Sequence, residues 1–485
     1  MNKRMPSITI GGNAISPDWE PSRPVVLSRV RHEWGREGLY DPNEPGRLTV
    51  EVIDPTGAWV GAPVNYQAPI TMQVDTGGGA VFTFRGWIDQ ASIRRHPYTR
   101  PDGQQGIGWI GRFTATDMIA ALAKITTTGT EDLVPPGNQF SREYKRSKYG
   151  NGYWRLSGSN VNRTADIQAR INATGLGVTV TAPTDPPPLD AGHPNLSAGD
   201  DLYTRIVSVY GRDAAFPADV RYHPHEQQIR PGHLAAAGVL ALSYVNAVIV
   251  VVAGPAAGAP APFTVPANAV GIPDDASITA ALSHNITSVR VHTFDITRGT
   301  EMFTGSDGVA RAYAVEPQRD TPVDFPVPGA VGFNQYDVPT EVNFASNDPT
   351  YHETPSTFAN RVIAVIQQLN DRVYPPPITF HLDRVDYPAG VIDALLCGHG
   401  VDNAWTFPGA IFEGVPGFGP YFQLIGAIAE YDDGWTVTGI FGPARSTAGG
   451  ALAINQLVTV PTPQLNQYDP SITLATLGTV TEGVH

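Results

Sequence analysis

The stretch GRLTVEVIDPTG at 46–57 decides the character of the chain. Leu48, Val50 and Val52 alternate with Thr49 and Glu51, a period of two that sets the apolar side chains on one face of an extended strand. Asp54, Pro55 and Gly57 end the run, since each favours a turn. The spacing predicts a half-buried strand and then a turn. The pattern recurs downstream. In VFTFRGWID (81–89), Phe82, Phe84 and Ile88 share a face, with Gly86 as the gap where a barrel strand would bend. ITMQVDTGGG (70–79) precedes it and can pair with it across the glycine turn at 77–79. IGWIGRFTATD (107–117) adds a third strand and runs straight into MIAALAKI, with Thr116 or Asp117 placed as the helix N-cap. Residues 1–126 read as a small antiparallel barrel that ends in a helix.

The far end reads the same way. STFANRVIAVIQQLND (356–371) predicts a helix capped by Ser356, with Phe358, Val362, Val365, Ile366 and Leu369 as its apolar stripe. ITFHLDRVD (378–386) alternates as a strand, and PYFQLIGAIAEYDDGWTVTGIF (420–441) reads as a hairpin about Asp432, Asp433 and Gly434, with Trp435, Val437 and Phe441 alternating on its second strand. Residues 373–445 form a second small barrel on this reading.

Between them lie an α+β insertion, 127–215, and a middle domain with its connecting helix, 216–372. The insertion opens with SREYKRSKYGNGYWRL (141–156), a loop-like tract in which Arg142, Lys145, Arg146 and Lys148 interleave with Tyr144, Tyr149, Tyr153 and Trp154. NRTADIQARINATG then predicts a helix with Ile167 and Ile171 on one face and Gly175 as its stop, and a Pro-rich linker leads to a capped helix in GDDLYTRIVSVYGRD. After Arg445, the segment 446–485 holds only Asp469 and Glu482 as charges, too apolar for a solvated tail, and it is expected to be an extended arm lying on a neighbour. The fold class is mainly β with α+β insertions: two small antiparallel barrels with inserted middle domains.

Composition agrees. The 485 residues suffice for several domains. Charged residues make 16% against a usual ~25%, and Gly 50 with Pro 44 favour short strands joined by turns. Lys and Arg number 32 and Asp and Glu 46, so the formal charge of −14 repels a polyanion and disfavours duplex nucleic acid as a surface ligand. Cys397 is the only cysteine, which rules out an internal disulfide and zinc sites built on two or more thiolates. Lys3 and Arg4 run on into SITIGG rather than an apolar core, so no secretory signal is expected.

Four features could carry chemistry or binding. HPHE (223–226) puts His223, His225 and Glu226 close together, and His233 follows, but Pro224 breaks any helical ligand spacing; a surface turn explains the same residues, and no metal or cofactor is expected. Asp432 and Asp433 stand beside Trp435, yet in a hairpin turn Asp is favoured for backbone reasons, and no catalytic residue is assigned. The basic aromatic tract, with Arg142, Lys145, Arg146, Tyr149 and Trp154, could stack single-stranded nucleic acid; docking on an acidic neighbouring subunit suits an acidic chain better. The run 234–254 has the length of a membrane span, but its Ala and Gly content, Asn246 and VIVVV favour a buried strand pair or an interface helix, and any membrane contact would follow a conformational change.

The stretches GRLTVEVIDPTG, FTFRGWIDQASI and GRFTATDMIAALA, followed by STFANRVIAVIQQLND, ITFHLDRVD and FQLIGAIAEYDDGWTVTGIFGP, resemble in that order the tail hub or baseplate hub proteins of tailed bacteriophages, the minor tail proteins of long-tailed actinobacterial phages. The resemblance covers about half of the chain and contains no catalytic motif. It implies a structural protein of the virion tail tip, assembled in the host cytoplasm as a homotrimer. Two similar barrels per chain would present six near-equivalent patches to a sixfold tail tube, with DNA passing through the lumen without specific binding. Its implied partners are the distal tail protein, the tape measure protein and tail-tip or fibre proteins. Phe82, Phe84 and Trp87 of the first barrel and Trp435 and Val437 of the second become interface candidates on this reading, as does the loop with Arg142, Lys145 and Arg146. A tail-tip hydrolase acting on cell wall or glycan, and a carbohydrate receptor-binding protein, are the alternatives.

Overall fold

The computed structural model describes in the main residues 4–15, 25–60, 67–99, 105–125, 160–181, 219–232, 285–295, 321–343, 355–370, 374–399, 404–407 and 422–443, with the backbone of shorter strands and turns between them. The N-terminal module consists of β1 (Ser7–Ile10), β2 (Asn13–Ile15), β3 (Val26–Gly35), β4 (Glu44–Asp54), β5 (Pro69–Asp75), β6 (Ala80–Thr99) and β7 (Gln105–Asp117). Leu48, Val50 and Val52 are fully buried, as their alternation requires. Asp54 ends β4 by accepting from the backbone N–H of Thr56, Trp59 and Val60 and from the Thr56 hydroxyl. Burial pushes this carboxyl up, the hydrogen bonds from Val60, Thr56 and Trp59 pull it down harder, and its pKa ends below the ordinary value. At Gly86 a Cβ would stand 2.0 Å from the Thr116 carbonyl oxygen, so glycine is needed there for close approach to β7. Asp117 caps the short helix α1 (Met118–Leu122) through the Ile119 N–H at 3.0 Å and also holds the Gly46 N–H at 2.9 Å.

α1 opens a second core. Met118, Ile119 and Leu122 pack with Ile167, Ile171, Leu202, Ile206 and Ile229 in one cluster. The basic aromatic tract forms a backbone hairpin of β8 (Arg142–Arg146) and β9 (Gly152–Leu156) rather than a loop, with Tyr144 opposite Trp154. The helix α2 (Asn160–Thr174) follows, stopped by Gly175 at φ 74°. β10 (Thr179–Val180) runs parallel to β12 (Gln228–Gly232), which pairs antiparallel with β11 (Asp219–His223). Within the apolar run, β13 (Val239–Val245) and β14 (Val248–Gly254) form an antiparallel hairpin. Among the described residues no helix is long and apolar enough to cross a membrane.

A third core joins β15 (Ile286–Asp295), β16 (Val323–Pro326) and β17 (Asn334–Asn343) to the helix α3 (Pro355–Leu369). Phe358, Val362 and Ile366 of the expected stripe are buried against Val289, Val291 and Tyr336. The C-terminal module then supplies β18 (Ile378–His381), helix α4 (Ala389–Cys397), β19 (Phe422–Tyr431) and β20 (Trp435–Pro443).

Two separate barrels were expected; the strands instead make one thirteen-stranded sheet, whose path runs β18-β20-β19-β3-β4-β7-β6-β5-β1-β2, with Val270–Gly271 beyond β18. The physical reason is β19. It is buried along nearly its whole length, reads as a continuous apolar run, and pairs on one side with β20 and on the other with β3. Residues of both ends therefore share one core, from Ile8, Val30 and Phe84 to Phe380, Trp405 and Phe441. Among the described residues no ladder closes the sheet; its two ends meet through Arg4, whose backbone N–H donates to Asp383 at 3.0 Å and whose side chain donates to the Leu382 carbonyl.

Candidate functional site

The seam where the terminal modules meet is the feature that the rest of the chain is arranged around. β3 and β19 run antiparallel, with Gly35 opposite Gly426, His32 opposite Ala429 and Val30 opposite Tyr431. Gly35 has φ 99°, and a Cβ there would stand 2.3 Å from the Ile425 carbonyl oxygen, so only glycine lets the strands close at this point. On the outer side Glu430 accepts from Arg31 at 2.7 Å and from Arg29 at 3.2 Å, and Arg31 also donates to Glu33 at 2.5 Å. Burial works against the Arg31 charge, the bonds to Glu33 and Glu430 work for it, and its pKa is raised.

α4 is docked onto this seam. The Trp34 indole N–H donates to the Leu395 carbonyl at 3.0 Å. His32 bonds to the Leu396 backbone while lying edge-on to Phe84, with ring centroids 5.4 Å apart. Burial pulls His32 down to about 4, against the opposing effect of that bond, so it is neutral at pH 7. Periodicity could not reveal α4, because AGVIDALLC is apolar on nearly every face and buries Val391, Ile392, Ala394, Leu395 and Leu396.

The interface candidates divide by burial. Phe84, Trp435 and Val437 lie in the shared core, so their side chains are used within the chain and are not presented to a neighbour. The Trp435 indole donates to the Arg4 carbonyl at 2.6 Å, and its backbone N–H to Asp383 at 2.5 Å. Trp87 is half-buried against the second core. Phe82 is half-buried, with the Arg85 guanidinium 3.4 Å from its ring centroid. Arg142, Lys145, Arg146 and Trp154 sit on the β8–β9 backbone hairpin, and their side chains, like Tyr149 and, of the arm 446–485, everything after Ser446, lie outside the described residues. Asp432 and Asp433 are exposed in the β19–β20 turn, Asp433 at φ 63°, in keeping with the backbone reading.

Two outward features had no signal in the sequence. β6 and β7 run on together beyond the end of β5, flanked by β4 only as far as Trp109, and this β6–β7 ribbon exposes Ile93, Arg94, Arg95 and Ile107, the last at 71%. The turn before β17 exposes Val331 at 69% and Phe333 completely, at 103%. Such apolar groups become informative only once the fold shows which face is outward.

The HPHE residues separate. The His225 Nδ1 accepts the Phe82 N–H at 3.2 Å, away from its sequence neighbours. His223 and Glu226 instead meet His399, just beyond α4, with His399 Nε2 3.4 Å from Glu226 Oε1. Cys397 is half-buried; desolvation pushes its thiol up to about 12, and it donates to the Asp393 carbonyl.

No protein-family model matches the chain, and no curated protein does. Among solved structures the chain is similar to the 43 kDa tail protein of prophage MuSo2 from Shewanella oneidensis, at 11% identity and a TM-score of 0.44, over 90% of this chain and 98% of that one.

Proposed function

We propose that the chain is a structural hub protein of a phage tail tip, working as a homotrimeric ring that adapts a sixfold tube to a threefold tip. The observation that carries this reading is the seam: the N-terminal and C-terminal modules lie side by side in one sheet over one core. Three copies of such a pair present six sheet segments around an axis, which solves the symmetry mismatch with one kind of subunit. The two segments stand in for the barrels of the hub family, held as halves of one sheet.

The contacts between copies fall to the ribbon and the 331–333 turn. The ribbon combines exposed Ile93 and Ile107 with Arg94 and Arg95 on a chain of charge −14, a mixture suited to an acidic neighbouring copy. The distal tail protein, the tape measure protein and tip or fibre proteins are the proposed neighbours on the other faces, with the arm 446–485 docking on one of them. An acidic lumen would let DNA pass without sticking. Counting copies in purified particles tests the reading. A number divisible by three is expected; any other number, or clearing of cell wall by the purified protein in a zymogram, would contradict it.

A further inference from the structure

We propose that His223, Glu226 and His399 form a binding site for one zinc-class divalent cation, which pins the turn between β11 and β12 to the end of α4. The three come from places far apart in the chain. His223 ends β11, Glu226 lies in the following turn, and His399 follows Gly398, whose φ of 70° lets the chain leave α4. One ligand atom from each lies within 4.8 Å of the others. Imidazole and carboxylate are ordinary ligands of zinc at about 2.0–2.2 Å, which puts ligand atoms of a tetrahedral site about 3.3 Å apart. The separation of His399 Nε2 and Glu226 Oε1, 3.4 Å, already fits that edge. The two imidazoles stand nearly perpendicular, at 86° with centroids 5.7 Å apart, so they meet edge to face rather than stacked.

The three residues differ in freedom. His223 is buried and acts as the anchor; Glu226 is exposed and His399 half-exposed, so their rotations can close the remaining gap. Arg230 competes for Glu226 at 3.8 Å, but an exposed ion pair of that length is weak beside a divalent cation. Asp393, half-buried on α4, lies close enough to interact with His399, His225 and Glu226. The Cys397 thiol is turned to the Asp393 carbonyl, to which it donates. The consequence is mechanical: a bound cation joins the second core to the main sheet at a point otherwise held by a surface ion pair.

Full-length protein, freed of any affinity tag and stripped with a chelator, would be titrated with Zn²⁺ against a chromophoric chelator and with Co²⁺ by visible absorption. One equivalent per chain is expected, with ligand-field bands from Co²⁺ and a raised unfolding temperature on metal addition. His399→Ala and Glu226→Gln, at accessible positions, should each weaken binding at least about tenfold, a change of about 1.4 kcal/mol, and abolish the temperature shift. His225→Ala should leave both unchanged. No stoichiometric binding by the natural protein would overturn the assignment, as would undiminished binding in His399→Ala or loss of binding in His225→Ala.

Discussion

His32 and Asp117 are fully buried ionisable groups, and burial moves them in opposite senses. His32 is pulled down to about 4, so its contribution is complete above the ordinary imidazole value and is lost as pH falls toward 4. Asp117 is pushed up to about 7 by burial, against the backbone N–H groups of Gly46, Ile119 and Ala120. Its contribution is complete below the ordinary carboxyl value and is lost as pH rises through 7. Between about pH 4 and 6.5 the two slopes oppose each other, each at most about 1.4 kcal/mol per pH unit. Urea unfolding across that range should therefore give a nearly flat profile for the natural protein. Asp117→Asn should unmask a stability that rises with pH, and His32→Leu one that falls; parallel profiles in all three would refute the assignment. Trp435→Ala removes a side chain only 1% exposed along with its bond to Arg4, and should cost about 3–5 kcal/mol in chemical denaturation.

Elements with a clear period were legible in the sequence, and those buried on all sides were not. β4, the β5–β6 hairpin, α2 and the β19–β20 hairpin lie where alternation, helical spacing and turn residues put them. α4 was hidden because an all-round apolar segment has no period. The joining of β3 to β19 was hidden for a different reason. Pairing between strands nearly four hundred residues apart is set by edge complementarity that no local window contains. The same limit applies to His399, whose partners lie at 223 and 226. The seam makes a prediction of its own. Both modules share one core and should unfold in one transition. Gly35→Val, which drives a side chain into the Ile425 carbonyl, should split that transition in calorimetry or lower it by at least about 2 kcal/mol. An unchanged single transition would mean that the seam is not what joins the ends.

At the scale of the whole molecule, stability and assembly reside in different residues. The core groups Phe84, Trp435 and Val437 hold the sheet, whereas Ile107, Arg94 and Phe333 face outward and contribute little to the isolated fold. Replacing Arg94 by Glu together with Ile107 by Ser, or Phe333 by Ser, should shift stability by no more than about 0.5 kcal/mol. Each should nevertheless reduce incorporation into particles, read by quantifying the chain in purified virions. Full incorporation of both variants would move the subunit contacts elsewhere. The most direct measurement is a reconstruction of the tail tip by electron cryo-microscopy. The proposed ring predicts three copies about the axis, each contributing its two ends as neighbouring sheet segments related by about 60°. Terminal segments lying away from the axis, or repeating with any other symmetry, would contradict it.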